Sequence, residues 1–178
     1  MALLSMTPKD KATGKLAELY EQAEQMFGVV PNNVKMLGIS PDILENQLEF
    51  AGYFIEHKNL SRPFQAALRF LVSNQCKSPY CTGLNTMLLK QAGLTDDQIE
   101  AAKSDVSKLP FNEKEKALLS LVLKATKDPH SVTAKDVEDI KALGWAEQDI
   151  FDAVAYGGRM VATNTIFDTF KVDVDIPG

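Results

Sequence analysis

The chain has 178 residues, 45% hydrophobic and 24% charged, with a formal net charge of −5, which suits one globular domain or a pair of small repeats sharing a core. The acidic balance leaves no basic stripe to neutralise phosphates, so a nucleic-acid partner is excluded; no apolar run is long enough to span a bilayer, and Met1 to Lys11 lacks the charged and apolar regions of a secretion signal. Two cysteines are too few for a disulfide framework, and a reducing, cytoplasmic setting is expected.

Taken in chain order, the pattern predicts at least seven helices and no sheet. Thr7-Pro8 reads as an N-cap with proline in the first turn, followed by Leu16, Leu19, Tyr20, Ala23 and Met26 at helical spacing. Gly28 ends that helix, and Pro31-Asn32-Asn33 reads as a turn. Ser40-Pro41 opens the next helix, with Leu44, Leu48, Ala51 and Ile55 on one face. His57 stands at its end, where a solvated or helix-dipole role is the default.

An apolar run from Phe64 to Val72 predicts a further helix, and Met87-Leu88-Leu89 belongs to the one after it. Thr95-Asp96-Asp97-Gln98 has the capping-box form, and Asn112 with Glu115 is a looser version. His130 lies beside Pro129 in a loop and is either solvated or a pocket residue. A last helix is expected from about Glu147 to Phe170. Within it, Gly157-Gly158 reads as close helix packing or a kink rather than a phosphate loop, because no strand precedes it. Arg159 beside them reads as a surface ion-pair partner or a pocket cation. Alternation is confined to Val172 to Ile176, too short and too acidic for a sheet.

A shift of 51 positions (111 − 60) lays one part of the chain on another without a gap. Leu60-Ser61 falls on Phe111-Asn112, Phe70-Leu71-Val72 on Leu121-Val122-Leu123, and Gly93 and Ile99 on Gly144 and Ile150. Agreement of cap, apolar face and terminating glycine points to a duplicated helical unit. Only the first copy carries a thiol, since Cys81 meets Val132.

Both cysteines lie in one stretch, Val72-Ser73-Asn74-Gln75-Cys76-Lys77-Ser78-Pro79-Tyr80-Cys81-Thr82-Gly83-Leu84-Asn85. One helix is expected to end there and the next to begin, and a helix N-terminus favours a thiolate. The stretch resembles the active-site segment of the carboxymuconolactone decarboxylase family, in its AhpD-like alkylhydroperoxidase branch. That segment reads Glu, eleven residues, Cys-x-x-Cys, three residues, His, with Val-Ser before the cysteines and Tyr just before the second. Aligning Val72-Ser73 and Tyr80-Cys81 without a gap puts the second family cysteine on Cys81, the first on Ser78, the histidine on Asn85 and the glutamate on Ala66. Phe27-Gly28-Val29-Val30-Pro31-Asn32 with Ser40-Pro41 resembles the longer, peroxidase-related members. So does Lys127-Asp128-Pro129-His130-Ser131-Val132-Thr133 with the acidic helix Asp136 to Ile140. The resemblance thus covers nearly the whole chain. It implies an all-α, AhpD-like helical bundle with an internal repeat of a helical hairpin. It also implies a single domain over residues 1–178, with an N-terminal extension to residue 59 and repeat units at about 60–110 and 111–170. A homo-oligomer of trimer or hexamer type follows from it, as does thiol-dependent hydroperoxide reduction in antioxidant defence.

Three of the four catalytic positions are substituted. In the family the cysteine pair cycles between dithiol and disulfide while glutamate and histidine relay protons. Asn85 cannot transfer a proton at neutral pH, and Ala66 offers no base. Gln65 is neutral and lies about 100° round a helix from Ala66. Arg62 and Arg69 can stabilise a thiolate but cannot act as a base. Losing the relay costs about a hundred- to ten-thousandfold in rate. Cys76 and Cys81 are the candidate catalytic residues, a Cys-x4-Cys redox pair within reach of a disulfide; the alternative is burial as small hydrophobes. Ser78, Tyr80, Asn85 and Ala66 are expected to line the same cavity. No His, Cys, Asp and Glu spacing suggests a metal, and no cofactor is expected. The aromatic residues Tyr20, Phe27, Phe50, Tyr53, Phe54, Phe64 and Phe70 read as core and subunit contacts. The function expected is that of an AhpD-like protein with weakened or lost peroxidase activity. The alternatives are a non-redox enzyme or binding protein for a lactone or carboxylate small molecule, and a non-catalytic assembly protein.

Overall fold

The computed structural model describes residues 2–175, and among them it contains nine α-helices, three short 3-10 turns and no strand. Val172 to Asp175 is irregular; Ile176 lies outside the described residues. The chain divides into two compact units: one runs up to His57 and resumes at Phe167, the other is Lys58–Ile166.

The first unit holds α1 (Lys15–Phe27), α2 (Asn32–Leu37) and α3 (Pro41–Ile55). Two local expectations are corrected here. The helix does not begin at Thr7-Pro8: Pro8 instead precedes a 3-10 turn, Lys9–Lys11. Gly14, at φ 55° and ψ −139°, breaks the chain before α1, a conformation open chiefly to glycine. Nor is Pro31-Asn32-Asn33 a simple turn, because α2 starts at Asn32. Its free N–H groups are satisfied by a carboxylate from far along the chain, with Asn32 N donating to Asp175 Oδ2 at 2.7 Å, and by Asn33 Oδ1, which accepts from Val34 N at 2.9 Å. Capping of this kind lets so short a helix form.

α1 ends at Gly28, which is left-handed at φ 81°. Its buried face, Leu19, Tyr20 and Ala23, packs on α3, which buries Leu44, Leu48 and Phe54. Tyr20 is fully buried and donates its hydroxyl to Thr7 O at 3.0 Å; burial pushes its phenol up from the usual range. At the rim, Lys15 is held by Asp42 and Glu45 at 2.6 Å each.

The second unit is built on a hairpin of α4 (Arg62–Gln75) and α5 (Pro79–Gln91), followed by α6 (Asp96–Ala102), α7 (Glu113–Lys127), α8 (Ala134–Ala142) and α9 (Glu147–Thr169), which continues past the unit's end. Ser61 caps α4 by accepting from Phe64 N, and Thr95 and Asn112 form full capping boxes. α4 and α7 start 51 positions apart (113 − 62), as do α6 and α9 (147 − 96). Gly93 and Gly144 are both left-handed, at φ 92° and 88°. At the same offset from α5, a single helix, stand a 3-10 turn, Pro129–Ser131, and then α8. α9 passes so close to α7 that a Cβ at Gly157 would lie 2.6 Å from Val122 Cγ1. Gly157 therefore serves close packing while a Cβ on Gly158 would meet nothing within 4 Å, and α9 runs through both without a break.

Candidate active site at the α4–α5 junction

α4 ends at Cys76, and the next residue, Lys77, is left-handed at φ 59°. Lys77 N donates to Asn74 O at 3.0 Å and Ser78 N to Ser73 O at 2.9 Å, the bonding pattern of a Schellman turn. This reverses the chain within two residues. Ser78, in extended conformation, is the N-cap of α5, with Pro79 in the first turn. Cys81 thus enters the first turn of α5, as its position after a proline-led cap predicts. It is buried, whereas Cys76 is partly exposed; the two are not joined in a disulfide.

Ala66, Ser78, Tyr80, Cys81 and Asn85 are all at most 3% exposed. Ser78, Cys81 and Asn85 recur at helical spacing and share one face of α5. Asn85 Nδ2 donates to Cys81 O at 2.8 Å, and Asn85 Oδ1 accepts from Arg69 Nε at 2.8 Å. The Asn85 side chain is therefore occupied on both ends by structural bonds. Arg69 Nη1 donates to Tyr156 Oη on α9, and the guanidinium carbon lies 5.6 Å from the Tyr156 ring centroid. Ala66 lies one turn before Arg69 on α4 and supplies only a methyl group. Gln65 is buried and donates to Leu60 O at 2.6 Å, so it serves the start of α4.

One turn beyond Arg69 on α4, Ser73 donates its hydroxyl to Asn164 Oδ1 of α9 at 3.3 Å. Asn164 is 1% exposed and its Nδ2 has no hydrogen-bond partner. Tyr156, Met160 and Asn164 are all buried at spacings of four on α9. Sequence reasoning named Arg69 but missed Tyr156 and Asn164; the signal was a buried helical stripe with a polar residue at each end.

The histidines take other places. His57 follows α3 with its ring stacked on Phe54, centroids 5.9 Å apart. His130 is exposed in the 3-10 turn, its N–H donating to Asp128 Oδ1 at 3.1 Å. No group of three His, Cys, Asp or Glu among the described residues could hold a metal ion. A shallow hollow in the first unit, lined by Pro8, Lys9, Asp10, Glu24, Val29, Val30 and Lys35, contains neither cysteine. No described helix is long and apolar enough to cross a membrane.

No protein-family model matches the chain, and no curated protein does. Solved structures do. An uncharacterised peroxidase-related protein with an alkylhydroperoxidase AhpD core, from Ralstonia eutropha, superposes with a TM-score of 0.86 at 16% identity, covering 98% of this chain and 92% of that one. A peroxidase-related protein from Silicibacter sp. gives 0.84 at 18% identity over 97% and 91%. The debrominase Bmp8, as a cysteine-to-alanine variant in complex with 2,3,4-tribromopyrrole, gives 0.79 at 16% identity over 98% and 92%. The all-α fold of this chain is therefore AhpD-like, as the resemblance of its sequence implies.

Proposed function

We propose that the chain is a divergent relative of the AhpD-like thiol hydroperoxidases that keeps one buried thiol, Cys81, and has lost the proton relay that makes hydroperoxide turnover fast. The carrying observation is the state of Asn85, which bonds to Cys81 O and to Arg69 and has no proton to exchange at neutral pH. Ala66 adds no base. Cys76, at the end of α4, is the resolving partner if a disulfide forms. A coupled hydroperoxide-reduction assay with a dithiol donor tests this on the parent, Cys81→Ser and Cys76→Ser. Rates near background, with any residue of activity lost in Cys81→Ser, support the reading. Rates typical of enzymes that survive Cys81→Ser overturn it.

A second reading is favoured by the polar groups around the thiol: Arg69 and Tyr156 suit recognition of a small molecule in a non-redox site. The fold neighbours carry more than one activity in their names, since one is a debrominase and others are peroxidase-related. We further propose a single domain with a duplicated hairpin unit, a cytoplasmic setting, and a closed homo-oligomer. Tyr53 and Phe151, 46% and 73% exposed, support the oligomer. Light scattering showing a stable monomer at micromolar concentration would contradict that assembly.

A further inference from the structure

We propose that the first two turns of α5 form a gate that opens about Lys77 and exposes Cys81, with Arg69 as its latch. The gate governs access to the thiol and stands whether or not that thiol reduces hydroperoxides. This segment is weak on its own. Pro79 to Thr86 contains tyrosine, cysteine, two threonines, asparagine and Gly83, with Leu84 its one strong helix former. Such residues have low helix propensity, and a glycine inside a helix lowers it most after proline. α4, α6, α7 and α8 each begin with a side chain that accepts from a backbone N–H of the first turn. At the start of α5 the Ser78 side chain makes no such cap. Just before it, Lys77 holds a left-handed φ of 59°, a conformation that costs any residue with a Cβ and is relieved when the turn opens. Segments of this kind open locally, well before the whole fold does.

Tertiary contacts hold the segment shut. Tyr80 and Cys81 are buried, and Asn85 in the second turn bonds back to Cys81 O while accepting from Arg69 Nε. Arg69 in turn donates Nη1 to Tyr156 Oη on α9 and sets its guanidinium beside that ring. One side chain of α4 thus joins the weak half of α5 to α9, through bonds from a charged donor, which are the strong kind. In the closed state Cys81 is sealed from dissolved electrophiles. Cys76, on the other side of Lys77, stays partly exposed. The two thiols therefore differ in access, and opening of the gate decides when Cys81 reacts.

The test is alkylation by iodoacetamide, in which the cysteine thiolate displaces iodide and forms a thioether, followed in time by mass spectrometry. Trypsin cuts after Lys77 and puts the two cysteines on separate peptides. Cys81 of the parent should label about a hundredfold slower than in the urea-unfolded chain, and slower than Cys76. Its rate should rise only weakly with urea below the unfolding transition, because a local opening exposes little surface. Arg69→Gln should speed Cys81 labelling about tenfold and leave Cys76 unchanged. Tyr156→Phe, which deletes the acceptor on α9, should act in the same direction, and it decides the matter if Arg69→Gln does not fold. Gly83→Ala, at an exposed position where a Cβ meets nothing within 4 Å, should slow Cys81 about four- to fivefold by strengthening the helix. A Cys81 rate that follows global unfolding across the urea series would overturn the proposal. So would a parent rate equal to the unfolded one, or equal rates in the parent and both latch variants. A fast, Cys81-independent hydroperoxidase in the assay described above would remove the proposed function and leave the labelling rates, and with them the gate, standing.

Discussion

Placing a methyl group on Gly157 tests how α9 is held against the rest of its unit. The added Cβ would fall 2.6 Å from Val122 Cγ1 and 2.9 Å from Thr126 Cγ2, both well inside van der Waals contact. Val122 is β-branched with its χ1 nearly fixed in a helix, and Thr126 is held by its Oγ1 bond to Val122 O at 2.9 Å, so α9 must be pushed off α7. Overpacking of this kind costs about 1–3 kcal/mol, while alanine gains about 0.8–1 kcal/mol over glycine in a helix interior. The net for Gly157→Ala is a loss of about 0–2 kcal/mol. For a chain of this length that lowers Tm by up to about 8 °C. The next residue is an internal control: a Cβ on Gly158 meets nothing within 4 Å, so Gly158→Ala keeps the propensity gain and raises Tm by about 2–4 °C. Circular dichroism at the helical band during heating reads both. The displacement should also draw Tyr156 away from Arg69. Shifts of the same sign in the two variants would refute the close-packing argument.

Lys77→Gly should stabilise by about 0.5–1 kcal/mol, because a side chain at a left-handed position carries a steric penalty that glycine lacks; destabilisation in urea melts would remove the proposed turn geometry. Asn85→Ala should cost about 2–4 kcal/mol in the same melts, since it deletes the acceptor of a charged donor and a second, neutral bond; a neutral result would mean the side chain is not bound as described. Asp136 accepts from Lys124 Nζ, and from Thr133 N and Oγ1 at the start of α8, which holds its carboxyl well below the usual carboxylate range. A depressed folded pKa contributes stability that is present above the unfolded value of 3.8 and lost as pH falls toward the folded one. Asp136→Asn should therefore lower Tm at neutral pH, with the gap to the parent closing as the pH is taken below about 4; a gap that stays constant down to pH 2 would contradict this.

The helical plan was legible wherever its signals were local. Ser61, Thr95 and Asn112 announce α4, α6 and α7 because a cap and its bonding partner lie within three residues. Thr133 and Asp136 form the same box with Asp in the last place, which a search for Glu or Gln there misses. α2 was not legible, because the carboxylate that satisfies its first N–H comes from Asp175. Nothing in Pro31-Asn32-Asn33 records that partner. The site divides in the same way. Cys81 and Asn85 were visible through the resemblance, which aligns them with the family's second cysteine and its histidine. Tyr156 and Asn164 acquire meaning only from Arg69 and Ser73, carried on a helix far away in sequence. Arg159, adjacent in the chain to the buried stripe, drew attention that belonged to the stripe itself.

The central claim is that the thiol at Cys81 stands without a proton relay. A time-resolved mass-spectrometric map of Cys76 and Cys81 after a defined hydroperoxide pulse reads that chemistry at the atoms concerned. The account predicts that neither thiol is consumed faster than free cysteine in the same buffer. A burst of Cys81 sulfenic acid, or of a Cys76–Cys81 disulfide, complete well before free cysteine reacts, would contradict it.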